Sequence, residues 1–158
     1  MLRPLTIALI LLAAPALAQN VAFGGMTADT SAPVEVAADN LAVDQADGSA
    51  VFTGNVVIGQ GEMRLAADSV TVIYAEGGQN RIQALKAQGN VTLTSGKDAA
   101  QSETADYDVA SGNIALAGAV VLKQGQNVLT GDRMIVNLAD GTARVDGRVR
   151  SVLQPGGN

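Results

Sequence analysis

The chain has 158 residues, of which 47% are hydrophobic and 16% are charged, and it contains no Cys, His or Trp. Without Cys and His there can be no Ser-His-Asp triad, no thiol nucleophile and no Cys/His zinc site. The 10 basic and 15 acidic residues give a formal net charge of -5. This charge argues against a nucleic-acid partner, because such proteins present a concentrated basic face.

Residues 1–18 are typical of a secretory signal peptide. Arg3 supplies the positive charge, residues 5–14 form the apolar run, and Ala16-Leu17-Ala18 forms a small-x-small cleavage site. The apolar run is much shorter than the roughly 20 residues that a membrane-spanning helix needs. We therefore predict export and cleavage after Ala18, the alternative being that this segment is retained as a membrane anchor.

The remaining chain divides into one domain and two short ends. Residues 19–32 are expected to form a flexible leader, because Gly24, Gly25 and Pro33 interrupt any regular period. Residues 153–158 are expected to form a flexible tail for the same compositional reason. Residues 33–152 have the length of a single domain.

Apolar and polar residues alternate through most of this domain, and the alternating segments are separated by turns rich in Gly, Asn and Asp. This pattern predicts an all-β domain built of short antiparallel strands. Strict alternation also assigns faces: Phe52, Val56 and Ile58 share one face of a strand with Gly54, whereas Val57 points the other way.

An internal repeat of roughly 30 residues organises the strands. One motif has apolar residues at alternating positions around a glycine, and its copies are centred on Gly54, Gly89, Gly118 and Gly147. A glycine inside a strand is costly, so each is expected to mark a bend or a close approach to the backbone. Repeats that bury one face by stacking on their neighbours predict a jellyroll or solenoid-like stack.

A second motif precedes each glycine motif and opens with a small residue followed by Asp. Three copies are regular: Ala38-Asp39, Ala67-Asp68 and Gly131-Asp132. We align the remaining copy on Ala105-Asp106, which places Asp108 where an apolar residue belongs. This departure leaves the strand count open.

The signal peptide and the ordered pairs of motifs resemble the lipopolysaccharide transport protein A family, through its OstA-like periplasmic domain. The resemblance covers residues 33–152 and implies a twisted, partly open β-jellyroll whose groove carries the acyl chains of lipopolysaccharide across the periplasm. It also implies head-to-tail association and partners at both membranes, namely a periplasmic subunit of the inner-membrane exporter and the outer-membrane translocon. It implies no catalytic residue and no cofactor. Two related members, the inner-membrane partner with a retained helix and the periplasmic domain of the translocon, are further alternatives.

The apolar row of the strands supplies the candidate lipid-binding residues. They are Phe52, Val56, Ile58, Leu65, Val70, Val72, Val91, Leu93, Ile114, Leu116, Val120, Leu122, Met134 and Val136. The same inward face could equally form an ordinary core between two sheets.

An open sheet has two edges, and we expect them near residues 34–38 and 144–152. The candidate edge residues for partner chains are Val34, Val36, Arg144, Arg148 and Arg150. Exposed edges can pair with strands of other chains. Arg144, Arg148 and Arg150 point outward from the last strand. They could meet lipid phosphates or an acidic partner, or they could simply prevent uncontrolled pairing of the edge.

Two other functional classes remain open at this stage. A secreted β-solenoid that serves as a scaffold or adhesion module would share the repeats without carrying lipid. A polysaccharide-cleaving enzyme could use paired carboxylates such as Asp106 and Asp108, although we expect no enzyme. No calcium-loop motif accompanies the Asp residues near the turns, so we assign no metal.

Overall fold

The computed structural model describes residues 28–76 and 81–155. The predicted signal peptide and the first part of the predicted leader lie outside the described residues, as do the last three residues of the predicted tail. The strands are β1 (Glu35–Ala37), β2 (Asn40–Asp44), β3 (Ser49–Gln60), β4 (Met63–Tyr74), β5 (Ile82–Ser95), β6 (Asp98–Asp108), β7 (Asn113–Gln124), β8 (Asn127–Asn137), β9 (Thr142–Asp146) and β10 (Arg150–Val152). No helix occurs within these ranges, and the predicted all-β class is confirmed.

All neighbouring strands are antiparallel and form a single sheet in chain order. At one edge, β1 and β2 both pair with β3, and at the other edge β9 and β10 both pair with β8. Each edge therefore consists of two short strands with a bend between them. The sheet is open, because β1/β2 and β9/β10 do not pair with each other.

A line of bends crosses the middle of the sheet. Gly54, Gly89, Gly118 and Gly147 have φ of +79° to +86°, and the residue after each glycine also has a positive φ. Only glycine adopts this conformation at little cost. The pairing register shifts at the same points, so two residues of one strand oppose a single residue of the next. The glycine motif is thus a β-bulge that bends the strand, as its sequence predicts.

An acidic side chain from the preceding strand covers each bend glycine. The four pairs are Asp39 with Gly54, Asp68 with Gly89, Glu103 with Gly118, and Asp132 with Gly147. A Cβ atom on any of these glycines would lie 2.5–2.7 Å from the carboxylate. Each glycine therefore serves both roles that the sequence left open, a bend and a close approach. We call an acid together with its Gly-X pair a bend unit.

The bend units correct the alignment of the third acidic motif. The residue that covers Gly118 is Glu103, so this copy begins at Ser102-Glu103 and not at Ala105-Asp106. With this alignment Tyr107 occupies an apolar inward position and Asp108 an outward one. Asp108 then no longer departs from the motif. This copy instead differs in having Glu103 where the other copies have Asp.

The strands now fall into two alternating kinds. We call β4, β6, β8 and the β1/β2 edge the acid strands, and β3, β5, β7 and the β9/β10 edge the glycine strands. Along a glycine strand the inward positions keep one parity through the bend, as with Phe52 and Val56. Along an acid strand the parity changes at the acid, so that Leu65 and Ala67 are followed by Val70 and Val72.

The bend line divides the sheet into two halves whose inner faces pack on each other. The first half-sheet contains β1 and β10, and the second contains β2 and β9. The Tyr107 hydroxyl, on the second half-sheet, donates a hydrogen bond of 2.7 Å to Oε1 of Gln60 on the first. Both side chains are at most 2% exposed. The two halves enclose one continuous apolar cluster.

The end of the predicted leader lies across the side opposite the bend line. The amide of Ala28 donates to the carbonyl of Leu138 on the second half-sheet. The Gln60 side-chain amide, on the first half-sheet, donates to the carbonyls of Thr30 and Ala32 at 3.2 and 3.0 Å. Residues 28–32 therefore bridge the two half-sheets.

Candidate functional site

The inner face of the folded sheet brings together the fourteen residues predicted to contact lipid. Thirteen of them are at most 2% exposed, and Phe52 is partly buried against the same cluster. The assignment of faces follows the period-two pattern: Val56 is 1% exposed, whereas its neighbour Val57 is 41% exposed. The inner face is thus an apolar surface that continues through both half-sheets.

Other inward residues extend this surface beyond the predicted set. Met63, Leu85, Leu129 and Leu138 are also buried in the cluster. Leu85 and Leu129 continue the alternation of their strands, so the pattern could have identified them. Gln60 could not be found in this way, because a polar residue at the end of a strand carries no signal of burial.

Gln60 and Tyr107 form a polar contact within the otherwise apolar interior. Burial raises the pKa of the Tyr107 phenol above its ordinary value, and the charge of Asp108 adds to this shift. The phenol is therefore neutral near pH 7 and acts as the donor to Gln60. Gln60 also donates to the carbonyls of residues 30 and 32. The Gln60–Tyr107 contact therefore joins the two half-sheets and the bridging segment on the side opposite the bend line.

An apolar cavity opens at each end of the inner face. At the β1/β2 end, Leu41, Val43, Phe52 and Tyr74 are among the residues that line a space of about 190 Å³. Leu41 and Val43 are 56% and 60% exposed, although their positions in the strand are inward. These apolar side chains face solvent because no further strand among the described residues pairs with β2 on this side.

The β9/β10 end carries a similar opening. Leu129, Ala143, Val145 and Val149 line a space of about 230 Å³. Val149 occupies an inward position of its strand and lines this cavity, yet it is 50% exposed. The inner face is thus accessible at both ends of the sheet.

The predicted partner-edge residues lie at the two sheet ends. Val34 and Val36 are partly buried beside the core at the β1 edge. Arg150 begins β10, and Arg144 lies in β9, where it pairs with Asp146 at 3.2 Å. These positions place them where an additional strand would arrive.

Arg148 has a structural role that the sequence did not indicate. Its guanidinium donates to Asp132 at 3.0 Å, in the fourth bend unit. In the first two bend units the side-chain amides of Asn55 and Asn90 donate to their acids at 2.9 and 2.8 Å. The hydrogen bond to Asp132 also raises the pKa of Arg148. Arg148 thus replaces the asparagine of the earlier copies.

The two edges differ in charge. Glu35, Asp39 and Asp44 lie on the β1/β2 edge, whereas the β9/β10 edge carries Arg144 and Arg150 together with one carboxylate, Asp146, which pairs with Arg144. Unlike charges at opposite ends of one sheet favour contact between dissimilar edges of two copies.

The positions of the acidic side chains do not favour the enzymatic alternative. Asp106 and Asp108 are exposed and point outward from β6. Within residues 28–76 and 81–155, no three acidic side chains come together as a metal site would require. The same part of the chain contains no helix that is long and apolar enough to cross a membrane.

Comparison with known proteins identifies the family. The model of the family described as LptA/(LptD N-terminal domain) LPS transport protein matches residues 35–142. The chain belongs to this family. The predicted family resemblance is therefore confirmed, and the LptA/LptD N-terminal family is one of transport proteins, not of enzymes.

Individual relatives agree with this assignment. An uncharacterized protein of Rhizobium meliloti (strain 1021) is 32% identical over 157 residues, which span 92% of this chain and 84% of that protein. The lipopolysaccharide export system protein LptA of Escherichia coli (strain K12) is 26% identical over 131 residues, which span 79% of this chain and 70% of LptA.

A solved structure shares the fold. The crystal structure of LptH from Pseudomonas aeruginosa, described as the LptA homologous periplasmic component of the lipopolysaccharide transport device, superposes with a TM-score of 0.72. The sequences are 21% identical, and the match covers 81% of this chain and 99% of LptH. The fold is thus the twisted, partly open β-jellyroll that the sequence predicted.

Proposed function

We propose that this protein binds lipopolysaccharide in the periplasm and forms part of a bridge that carries it from the inner to the outer membrane. The acyl chains are held against the apolar inner face, and the sugar and phosphate groups stay outside. The observation that carries the proposal is the continuous inner face, which opens at both ends of a sheet that belongs to a lipopolysaccharide transport family.

The energetics of alkyl chains favour such a surface. Burial of each CH₂ group stabilises the bound lipid by about 0.8 kcal/mol. An acyl chain of the lipid that passes from one apolar surface to another of similar character changes little in free energy. The sequence contains no Gly-x-x-x-x-Gly-Lys motif for nucleotide phosphates. The protein is therefore a passive conduit, and the work is supplied by a partner.

Binding requires the two half-sheets to separate. The candidate residues are packed against one another, and Val70, Ile114 and Val136 have no exposed surface. Lipid must therefore replace contacts between the half-sheets with contacts to its own chains. Since both types of contact bury apolar surface, the exchange costs little beyond the hydrogen bonds that hold the halves together.

The two ends of the conduit contact different partners. One end receives lipid from a periplasmic subunit of the inner-membrane exporter, and the other delivers it to the outer-membrane translocon. Copies of the chain associate head to tail between them, because each end has both an unpaired sheet edge and an apolar opening. Delivery to the periplasm depends on the signal peptide, cleaved after Ala18.

Site-specific photocrosslinking in cells tests the lipid path. A photoreactive residue is placed at Val56 or Val120 on the inner face, and the matched control carries it at Val57, next to Val56 but on the outer face. We expect adducts that react with anti-lipopolysaccharide antibody from the inner sites and none from Val57. Circular dichroism of each purified variant establishes that it is folded. Folded inner-face variants that give no adduct would contradict the proposal.

The same experiment separates the proposal from the scaffold alternative. The tight packing of the inner face is what a purely structural jellyroll would also show. A scaffold would give no lipid adduct at either inner site, while its ends would still crosslink to other protein chains.

A further inference from the structure

Residues 28–32, which we call the strap, are attached to both half-sheets at points far from the bend line. On the second half-sheet, the carbonyl of Leu138 accepts a hydrogen bond of 3.1 Å from the amide of Ala28. On the first, the side-chain amide of Gln60 donates to two carbonyls of the strap at 3.2 and 3.0 Å. The strap therefore crosses the line along which the half-sheets must part to admit lipid.

The strap also lies against a turn of each half-sheet. A Cβ atom added to Gly61, in the turn between β3 and β4, would lie 3.5 Å from the Cβ atom of Asp29. One added to Gly112, in the turn between β6 and β7, would lie 3.6 Å from the methyl group of Thr30. These are ordinary contact distances. The strap thus covers part of the side opposite the bend line, which we call the mouth.

The strap is held less firmly than the strands. Asp29, Thr30 and Ser31 are exposed, and residues 28–32 belong to no strand of the described chain. Segments with exposed backbone and little buried apolar surface open at a lower cost than the core of a sheet. The strap can therefore leave its place while the sheet stays folded.

A local turn gives the strap its shape. One carboxylate oxygen of Asp29 accepts hydrogen bonds from the amide of Ser31, at 3.0 Å, and from the hydroxyl of Ser31. The amide of Ala32 donates to the carbonyl of Asp29 at 3.0 Å. This turn presents the carbonyls on either side of Ser31 to Gln60. The Asp29 side chain therefore supports the attachment of the strap to the first half-sheet.

We propose that lipid displaces the strap, so that the strapped mouth and the lipid-bound mouth are alternative states of the protein. This inference rests on the proposed function and adds the segment that must move. Gln60 is the point of exchange, because it is 2% exposed and its two strap acceptors leave together. At the open mouth its amide is accessible to water and to the oxygen atoms of the lipid, so release leaves no buried donor unpaired.

The strap then sets the apparent affinity for lipid. Only molecules in which the strap is released bind lipid, so the apparent dissociation constant equals the intrinsic constant divided by the released fraction. A change that fixes the strap should weaken binding, and a change that loosens it should strengthen binding. A strap that is merely part of the scaffold would do neither.

A reversible disulfide tests whether the strap must move. The chain has no cysteine, and the 3.5 Å between Cβ of Asp29 and a Cβ atom on Gly61 lies in the range of disulfides. The double variant Asp29→Cys with Gly61→Cys carries a photoreactive residue at Val120 and is incubated with purified lipopolysaccharide. We expect adducts to be largely lost from the oxidised protein and to return on reduction. The single variants control for the substitutions, including strain at Gly61, where φ is +57°.

The outcomes separate this inference from the proposed function. Mass spectrometry establishes that the disulfide has formed, and circular dichroism establishes that the oxidised protein is folded. Equal yields of adduct from the oxidised and reduced forms would then overturn the strap alone. Absence of adducts when the Val120 probe is placed in the otherwise unchanged chain would contradict lipid binding itself.

Loosening the strap should have the opposite effect, and this test does not depend on a disulfide. Asp29→Ala removes the acceptor of both Ser31 hydrogen bonds. We expect the apparent affinity, from adduct yield at Val120 across a lipopolysaccharide titration, to rise roughly five-fold, the effect of one lost hydrogen bond on the released fraction. Asp47→Ala is the matched control, because Asp47 accepts the same pair of hydrogen bonds from Ser49 in the turn between β2 and β3. A rise in both variants, or in neither, would overturn the strap.

Amide hydrogen exchange follows the strap in the unmodified protein. The amide of Ala28, which is bonded to Leu138, should exchange faster when purified lipopolysaccharide is added, because lipid shifts the population toward the released state. The amide of Val109, which donates to the carbonyl of Gln83 within the second half-sheet at 3.1 Å, is the control and should not change. Unchanged or slower exchange at Ala28, under conditions in which adducts form at Val120, would overturn the displacement.

Discussion

The carboxylate of Asp39 lies directly against the α-carbon of Gly54, and the amide of Asp39 donates a hydrogen bond of 2.9 Å to the carbonyl of the same glycine. The carboxylates of three further acids lie against a bend glycine in the same way. The arrangement fixes where each strand bends, and the bends fold one sheet into two apposed halves. The apolar inner face depends on this local contact.

Replacement of Gly54 by Ala should destabilise the fold strongly. The new Cβ would lie 2.7 Å from Oδ2 of Asp39, and the backbone at this position has φ of +82°. We expect the free energy of unfolding to fall by about 2 kcal/mol or more, as measured by urea denaturation. Gly48→Ala is the control, because Gly48 has φ of +70° but no atom near the added methyl group. It should lose only the conformational part, about 1 kcal/mol, and equal losses would contradict the close-approach argument.

The third bend unit lacks a side-chain donor, and an added one should stabilise it. Ala119 occupies the position held by Asn55, Asn90 and Arg148 in the other units, with φ of +45°. Ala119→Asn supplies an amide for Glu103 and a residue that tolerates this conformation better than Ala. We expect a gain of about 1 kcal/mol in the free energy of unfolding. The double variant Ala119→Asn with Glu103→Ala should lose the hydrogen-bond part of this gain, and a full gain without Glu103 would contradict the assigned contact.

The sequence predicted most of the inner face because glycine strands keep their parity through the bend. Alternation around Gly54 placed Phe52, Val56 and Ile58 correctly. The inward residues of the acid strands were harder to predict. The parity of inward positions changes where the acid lies, and alternation alone cannot locate that point. Glu103 was missed because it replaces the Asp of the other copies, which moved the third motif to Asp106.

Other features of the site depend on tertiary contacts and have no local signal. Gln60 is buried because Tyr107, far away in sequence, reaches it across the fold and because it holds residues 30 and 32. The exposure of Leu41 and Val149 follows from the position of the sheet edges. An alternation pattern assigns a face to each residue, but it does not say where the sheet stops.

Removal of the Tyr107 hydroxyl should loosen the contact between the half-sheets. Tyr107→Phe leaves the buried Oε1 atom of Gln60 without its donor, and we expect a loss of about 1–3 kcal/mol in the free energy of unfolding. Tyr74→Phe serves as control, because Tyr74 lies at the open β1/β2 end. It should change stability by much less. If the lipid requires the half-sheets to separate, Tyr107→Phe should also raise the yield of lipopolysaccharide adducts at Val120.

Stability at high pH should depend on Tyr107. Burial raises the pKa of its phenol above the ordinary value of about 10, so the folded state holds this proton at pH values where the unfolded state has released it. The unfolded state then binds fewer protons, and the free energy of unfolding falls as the pH rises. The contribution of Tyr107 is complete below pH 10 and is lost as the pH passes from there through the raised pKa of the folded state. Urea denaturation between pH 8 and about pH 11 should therefore show a decline that is smaller in Tyr107→Phe, and an equal decline in both proteins would place the titrating group elsewhere.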